Sequence, residues 1–199
     1  LLSQKGIERA LKSYLGKEKG LKNYKLKKPE KDYVVTVENS VKEIRPFTVC
    51  AIVKNLRLNN EKIKEIIDLQ EKLHTTLGRN RKKCAIGVYP LEKIKLPIIY
   101  KAEKPDKIRF KPLDYDRELN GYEILKKHPT GKDYAHLLNN LKMFPVFLDS
   151  NSKVLSMPPV INSEETGRVT ESTNEVFIEC SGWNLDTLNI ALNILVTAL

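Results

Sequence analysis

A few polar side chains stand in surroundings patterned for apolar ones, and these are the places where the chain could do chemistry. Over residues 60–83, NEKIKEIIDLQEKLHTTLGRNRKK, a rotation of about 100° per residue puts Ile63, Ile66, Ile67, Leu73 and Leu77 on one helix face, with Gln70 and His74 in its middle. Glu71 lies beside them. A buried, unpaired amide costs roughly 1–3 kcal/mol, so Gln70 and His74 must either find partners inside the fold or line a wet pocket. Past Gly78 come Arg79, Arg81, Lys82 and Lys83, a cationic rim to that wall. Ser156 runs into Pro158-Pro159, where no ladder continues, so its hydroxyl and carbonyl are free either to serve a pocket wall or to close a structural turn. Asn162 follows closely. In VFIECS, residues 176–181, strand alternation puts Phe177, Glu179 and Ser181 on one face and Val176, Ile178 and Cys180 on the other. A covering helix must bury the second face, which leaves Glu179 and Ser181 looking outward or into a cleft. Groups of these kinds can hold a water, a ribose or a polar substrate side chain.

They do not make a familiar catalytic motif. The chain has no G-x-x-x-x-G-K-[ST], G-x-G-x-x-G, G-x-S-x-G or H-E-x-x-H, which removes the usual nucleotide, esterase and zinc signals. His74, His128 and His136 lack metal-ligand spacing, and no metal is expected. Cys50, Cys84 and Cys180 are odd in number and far apart, so neither a disulfide framework nor a zinc site is indicated and a reducing cytosol fits.

The elements that must position these residues read as follows. Ser3 caps a helix with Ile7, Leu11, Tyr14 and Leu15 on one face, ended by Gly16. The lysine-rich stretch 17–32 is a linker, read either as a solvated charge run or as a phosphate-contacting patch. DYVVTV and FTVCAIV are strands with Pro46 at a strand start or edge. The hub helix follows, with Asn60 as its cap and Gly78 just past its end. CAIGVY and PIIYKA are strands, and residues 114–140 are mostly helical, with Asn120 as a cap and a break at Pro129-Thr130-Gly131. FPVFLD and KVLSM form a hairpin, VFIECS is the last strand, and Asn184 caps a closing apolar helix through Leu199. This order predicts an α/β (α+β) layered sandwich, a mostly antiparallel or mixed sheet covered by helices, preceded by an N-terminal helix and linker. The division is 1–32 for helix and linker and 33–199 for the functional domain. Both ends read as cuts in a longer chain.

The 199 residues carry 41% hydrophobic and 30% charged side chains and a formal net charge of +10, with a pI near 9.4. That balance points to a polyanion, nucleic acid first, or else to the lysine-rich surface of a thermophile or an AT-rich genome. No apolar run reaches about 18 residues and no signal peptide is visible, so neither membrane nor secretion is expected.

Taken together, IIDLQEKLHTTLGRNRKKCAIGVYPLEKIK, VLSMPPVIN and FIECSG resemble the editing region of the beta chain of phenylalanyl-tRNA synthetase in its archaeal and eukaryotic form. The opening LLSQKGIERALKSYLG and the final LNIALNILVTAL are similar to the helices that lead into and close that region. The resemblance implies hydrolysis of tyrosine wrongly esterified to phenylalanine tRNA, in the cytoplasm. A phenylalanine pocket excludes a hydroxylated isostere poorly, whereas a second site built to bind that hydroxyl rejects phenylalanine strongly. By resemblance, Gln70, Glu71, Arg81 and Asn162 surround the terminal ribose and adenine or the attacking water. Phe147, Ser156, Glu179 and Ser181 surround the tyrosyl group, with Ser156 helping to orient the ester. Arg79, Arg81 and Lys82 contact the tRNA. No cofactor is implied in this stretch; ATP and magnesium belong to the parent synthetase, as does pairing with its alpha subunit. Neither membrane nor DNA is an implied partner. The family more often has Asp-Val-Thr where this chain has Glu179-Cys180-Ser181, and an aliphatic residue where it has Phe147. The competing readings are a non-catalytic tRNA-binding or structural module of the synthetase and, with less in its favour, a free-standing editing factor.

Overall fold

The structure, a computed structural model, describes residues 3–20, 22–24 and 26–199. Leu1, Leu2, Leu21 and Lys25, which the sequence reading assigns to the lead-in helix and linker, lie outside the described residues. Helix α1 (Gln4–Tyr14) starts where Ser3 Oγ accepts the Gly6 N–H at 3.1 Å. Its expected apolar face, Ile7, Leu11, Tyr14 and Leu15, is exposed. The described residues of the linker form no regular element before β1 (Val35–Val37).

The next elements are β2 (Phe47–Val53), α2 (Asn60–Thr75), β3 (Cys84–Pro90), β4 (Ile98–Glu103), β5 (Arg109–Phe110), β6 (Leu119–Asn120), α3 (Gly121–Lys127) and α4 (Pro129–Tyr134). Then come β7 (Phe144–Leu148), β8 (Val154–Met157), β9 (Ile161–Asn162), α5 (Glu164–Gly167), β10 (Val176–Gly182) and α6 (Leu185–Val196). One sheet has five strands in the order β1-β4-β7-β8-β9 and another has three in the order β2-β10-β3. Among the described residues only the β1–β4 pair is parallel; the other strand pairs, including the short β5–β6, are antiparallel. The expected layered α/β fold with largely antiparallel sheets is therefore what the chain forms.

Side-chain alternation builds three cores. Cys84, Ile86 and Val88 of β3 and Val176, Ile178 and Cys180 of β10 face Leu69 and Leu73 of α2 and Leu188, Ala191, Leu192 and Leu195 of α6. The opposite face of the three-stranded sheet packs on the five-stranded one through Tyr89, Phe177, Ile98, Tyr100, Phe147 and Leu155. Beyond that second sheet, Phe144, Val146 and Met157 meet Ile124, Leu125, Phe110 and Leu119. Because the three-stranded sheet is covered on both faces, no strand face of β10 is left to solvent.

Several local expectations change. The α2 cap is Asn59, not Asn60, its Oδ1 accepting the Lys62 N–H at 2.9 Å. Ile67, placed on the core face by periodicity, is 52% exposed, since the helix turns Leu69 and Leu73 inward instead. Residues 114–118 are not helical; β6 precedes α3. Asn120 does cap α3, in a capping box with Glu123, and the break between helices falls at His128 because Pro129 takes the first position of α4. The Pro158-Pro159 segment turns β8 into β9, which pairs Ser156 with Asn162.

Candidate functional site

The expectation that Glu179 and Ser181 look outward does not hold. The strand that carries them, β10, is the middle strand of its sheet, and the five-stranded sheet covers their face; Glu179 is 2% exposed and Ser181 fully buried. Glu179 lies in register between Cys50 of β2 and Gly87 of β3. Into the same space comes a residue that the sequence reading passed over, Tyr89. Its hydroxyl lies 2.8 Å from Ser156 Oγ, 3.3 Å from Glu179 Oε1 and 3.4 Å from Asn162 Oδ1. With one proton, it donates to one of these at a time. Gly87 makes this possible: a Cβ there would stand 2.1 Å from the Tyr89 hydroxyl and 2.7 Å from Glu179 Oε1. Glycine inside a strand is a recognised sign of such close approach.

The electrostatics follow from burial. Glu179 Oε2 is buried without a hydrogen-bond partner, and desolvation pushes its carboxyl up to about 8 against the pull of Arg45 and the hydrogen bonds of Tyr89 and Ser181. Burial likewise raises the Tyr89 phenol well above its ordinary range. At neutral pH the centre of this layer is therefore mostly uncharged, apart from Arg45.

Arg45 is the second residue that sequence reasoning missed, and it is 3% exposed. Its Nε donates to Ser181 Oγ at 3.1 Å and its terminal nitrogens donate to Ser181 O at 2.5 Å, Arg81 O at 3.3 Å and Lys82 O at 3.5 Å. The last two acceptors belong to a turn in which Arg79, Asn80 and Arg81 have φ of 48°, 52° and 63°. Three successive non-glycine residues in the left-handed region are costly, of order 1 kcal/mol or more each, and need outside support. A buried guanidinium on the turn's carbonyls gives that support.

The polar residues of α2 have a different partner. Among the described residues no strand neighbours the outer edge of β3, and α2 covers it: Gln70 Nε2 donates to Ile86 O at 2.7 Å and the Ile86 N–H donates to His74 Nε2 at 2.9 Å. Two side chains thus stand in for a strand. Because His74 Nε2 accepts, the ring proton sits on Nδ1, which donates to Glu71 Oε1 at 3.1 Å. Burial lowers the His74 pKa, which keeps the ring neutral. Glu71 Oε1 also accepts from Arg81 at 2.9 Å. Arg81 donates further to Val160 O at 2.8 Å, and its guanidinium carbon stands 4.2 Å from the centre of the Tyr134 ring.

Gln70, Glu71, His74, Arg81 and Asn162 line a groove of about 350 Å³, walled by Ile63, Ile66, Ile67, Val160 and Ile161. The predicted site residues therefore fall into two groups. Ser156, Glu179, Ser181 and Phe147 are buried between the sheets, Phe147 with its ring stacked 4.1 Å from Tyr100. Gln70, Glu71 and Arg81 border the open groove. Asn162 belongs to both, lining the groove and meeting the Tyr89 hydroxyl. Arg79 and Lys82 are exposed, whereas the Arg81 side chain is 12% exposed and held by protein groups. Among the described residues no group of three or more His, Cys, Asp or Glu could hold a metal ion, and no helix is long and apolar enough to cross a membrane.

A two-sheet sandwich with a polar cluster inside an otherwise apolar layer and a helix-walled groove beside it defines the class, and comparison with known proteins agrees: the chain belongs to the B3/4 domain family, whose pattern matches residues 30–192. More particularly, it is similar along its whole length to the beta subunit of phenylalanine–tRNA ligase. It is 48% identical over 199 residues to the subunit of Thermococcus sibiricus, covering 100% of this chain and 35% of that protein. It is also 48% identical to the Thermococcus kodakarensis subunit, covering 100% of this chain and 34% of the relative. A crystal structure of an N-terminal fragment of the phenylalanyl-tRNA synthetase beta-subunit from Pyrococcus horikoshii matches with a TM-score of 0.94 at 46% identity, covering 98% of this chain and 56% of that one. The resemblance read from the motifs is borne out, and the chain spans about a third of the length of the ligase subunits it matches.

Proposed function

We propose that this chain is a proofreading module that hydrolyses the ester of tyrosine wrongly attached to phenylalanine tRNA. The observation that carries the reading is the set of hydroxyl, amide and carboxyl groups of Ser156, Asn162 and Glu179 gathered around a single phenol oxygen, that of Tyr89, deep in an otherwise apolar layer. A site that holds one phenol hydroxyl in this way has the chemistry to prefer tyrosine over phenylalanine, because without the hydroxyl its buried polar groups stay unpaired. In this reading the acceptor end of the tRNA lies along the groove, with Gln70, Glu71 and Asn162 beside its terminal ribose and the attacking water. Glu179, Ser156 and Ser181 serve the aryl side chain, Phe147 backs the pocket, exposed Arg79 and Lys82 face the tRNA strand, and Arg81, held by Glu71 and Val160, shapes the rim beside them. An activated ester needs a water held in line and donors for the oxyanion, and neither a covalent nucleophile nor a bound cofactor. ATP, magnesium and the alpha subunit serve the aminoacylation reaction of the longer protein, in the cytoplasm.

A second reading, a tRNA-binding or structural module without hydrolytic activity, is favoured by one observation: Tyr89 itself fills the space around Ser156 and Glu179, and the open groove does not reach them. The deciding experiment measures tyrosine release from preformed tyrosyl-tRNA, with phenylalanyl-tRNA as the control. Release of tyrosine well above the phenylalanine background supports hydrolysis, and equal rates for the two esters leave the binding module.

A further inference from the structure

The groups that the proposed function assigns to a substrate phenol already hold one. The Tyr89 ring is fully buried, lies over Gly87, where even a methyl group would collide with it, and brings its hydroxyl within 2.8 Å of Ser156 Oγ. Its ring is 6.0 Å from that of Phe177, centre to centre. Beside it, Glu179 Oε2 is buried with no partner, an acceptor or donor position that the resident phenol leaves unused. Asn162 touches the Tyr89 hydroxyl and also lines the groove, so the resident phenol stands directly behind the wall along which a substrate would arrive.

We propose that Tyr89 is the specificity-determining residue of this site: its phenol is an internal occupant of the aryl subsite, and a para-hydroxyphenyl side chain enters only by exchanging with it. The inference rests on the hydrolytic reading for its substrate but not for its geometry. Exchange explains how a fully buried cluster could serve an external ligand without a standing cavity. An incoming phenol replaces the hydrogen bonds that Tyr89 gives up, whereas an incoming phenyl ring does not. Selectivity then arises in the exchange itself, because the displaced state is matched only by a hydroxylated ring. It also sets a cost, since apparent affinity falls by the fraction of time the subsite is open.

The test uses Tyr89→Phe and Tyr89→Ala beside the unaltered chain. Tyr89→Phe keeps the ring but loses the hydroxyl that anchors it, so the subsite opens more readily; KM for tyrosyl-tRNA should fall about tenfold, the factor that corresponds to one hydrogen bond of about 1.4 kcal/mol. A purely structural tyrosine would instead leave KM unchanged or raise it, and that result overturns the exchange. Calorimetric binding of L-tyrosinamide and L-phenylalaninamide reads the subsite without any hydrolysis. Tyr89→Ala should bind the tyrosine amide at least tenfold more tightly than the unaltered chain does, and more tightly than it binds the phenylalanine amide. Equal binding of both amides, or equal binding by Tyr89→Ala and the unaltered chain, overturns the proposal. If the tyrosine amide binds selectively while no form releases tyrosine from tRNA, the exchange stands and hydrolysis falls. If Tyr89→Ala does not fold, as a thermal melt would show, the amide measurements on Tyr89→Phe decide, with the same two outcomes.

Discussion

Replacing Glu179 with glutamine should make the protein more stable in alkaline solution and leave it little changed in acid. The carboxyl is buried between two sheets, with Oε2 unpartnered, and desolvation holds it protonated up to about 8 rather than the ordinary 4.5. In the unfolded chain the group ionises near 4.5, so between 4.5 and about 8 the folded state binds the extra proton and folding loses stability as the pH rises. At about 1.4 kcal/mol per pH unit, the full interval corresponds to about 5 kcal/mol. Glutamine keeps the shape and an acceptor for the Tyr89 hydroxyl but has no proton to lose. Urea denaturation of Glu179→Gln and the unaltered chain from pH 4.5 to 9.5 should therefore give curves that nearly coincide at the acid end. They should separate through neutrality and run parallel above about pH 8, with the variant higher by roughly 3–5 kcal/mol. His74 titrates in both proteins, and its contribution cancels in the difference. A pH-independent difference, or a variant that loses ground as the pH rises, would mean that Glu179 is ionised in the folded state and paired with the charge of Arg45, and the account of the inter-sheet layer would fail.

Three further outcomes follow from the same geometry. His74→Ala leaves the Ile86 N–H without its acceptor and should cost about 1–3 kcal/mol; because burial lowers the His74 pKa, the deficit should be full above the unfolded histidine's ordinary value and shrink as the pH falls below it, which denaturation on either side of neutrality would read. Arg45→Ala strands the carbonyls of Ser181, Arg81 and Lys82 and should cost roughly 3 kcal/mol or more, with faster proteolysis at residues 78–83, and Arg45→Lys should recover little of it because a single ammonium cannot span the same acceptors. Exposed Arg79 and Lys82, each changed to alanine, should reduce the salt dependence of tRNA binding by up to about 0.7 in slope per residue, whereas Arg81→Ala should act mainly on stability, since its guanidinium is held by Glu71 and Val160; a larger slope change for Arg81 would reverse that division.

What the sequence made legible is what local chemistry decides. The Asn120 capping box, the Asn184 cap and the apolar face of β10 all depend on residues within a few positions of one another, and all are found. The second sheet over Glu179 is not local. Whether the Phe177, Glu179 and Ser181 face meets water or another sheet depends on where the β7–β8 hairpin lands, far along the chain, and alternation within VFIECS is the same in both cases. Gln70 and His74 were conspicuous for the right reason, polarity on an apolar stripe, but their partner is the backbone edge of β3, which no helical pattern reveals. Tyr89 and Arg45 gave no signal of their own, one ending an apolar strand run and the other standing before Pro46 among charged residues. The one available hint was Gly87, a glycine in the middle of a buried strand two residues before a tyrosine, which marks a place where something must come close.

The two halves of the candidate site are joined more tightly than their separation suggests. Arg45 reaches Ser181 with one edge of its guanidinium and the carbonyls of Arg81 and Lys82 with the other. The same turn sends the Arg81 side chain to Glu71 and to Val160, on the wall of the groove. Since residues 79–81 adopt left-handed φ values that they would not keep alone, the groove's rim is held in place from inside, by a cation anchored on the strand that carries Glu179. A change that shifts Ser181 therefore shifts the acceptor of Arg45 Nε, loosens its hold on the turn and moves Arg81. Variants in the buried layer and variants at the rim should for that reason fail to add, with coupling of about 0.5–3 kcal/mol in a double-mutant cycle between Ser181→Ala and Arg81→Ala. Strict additivity would mean that Arg45 transmits nothing between the two halves.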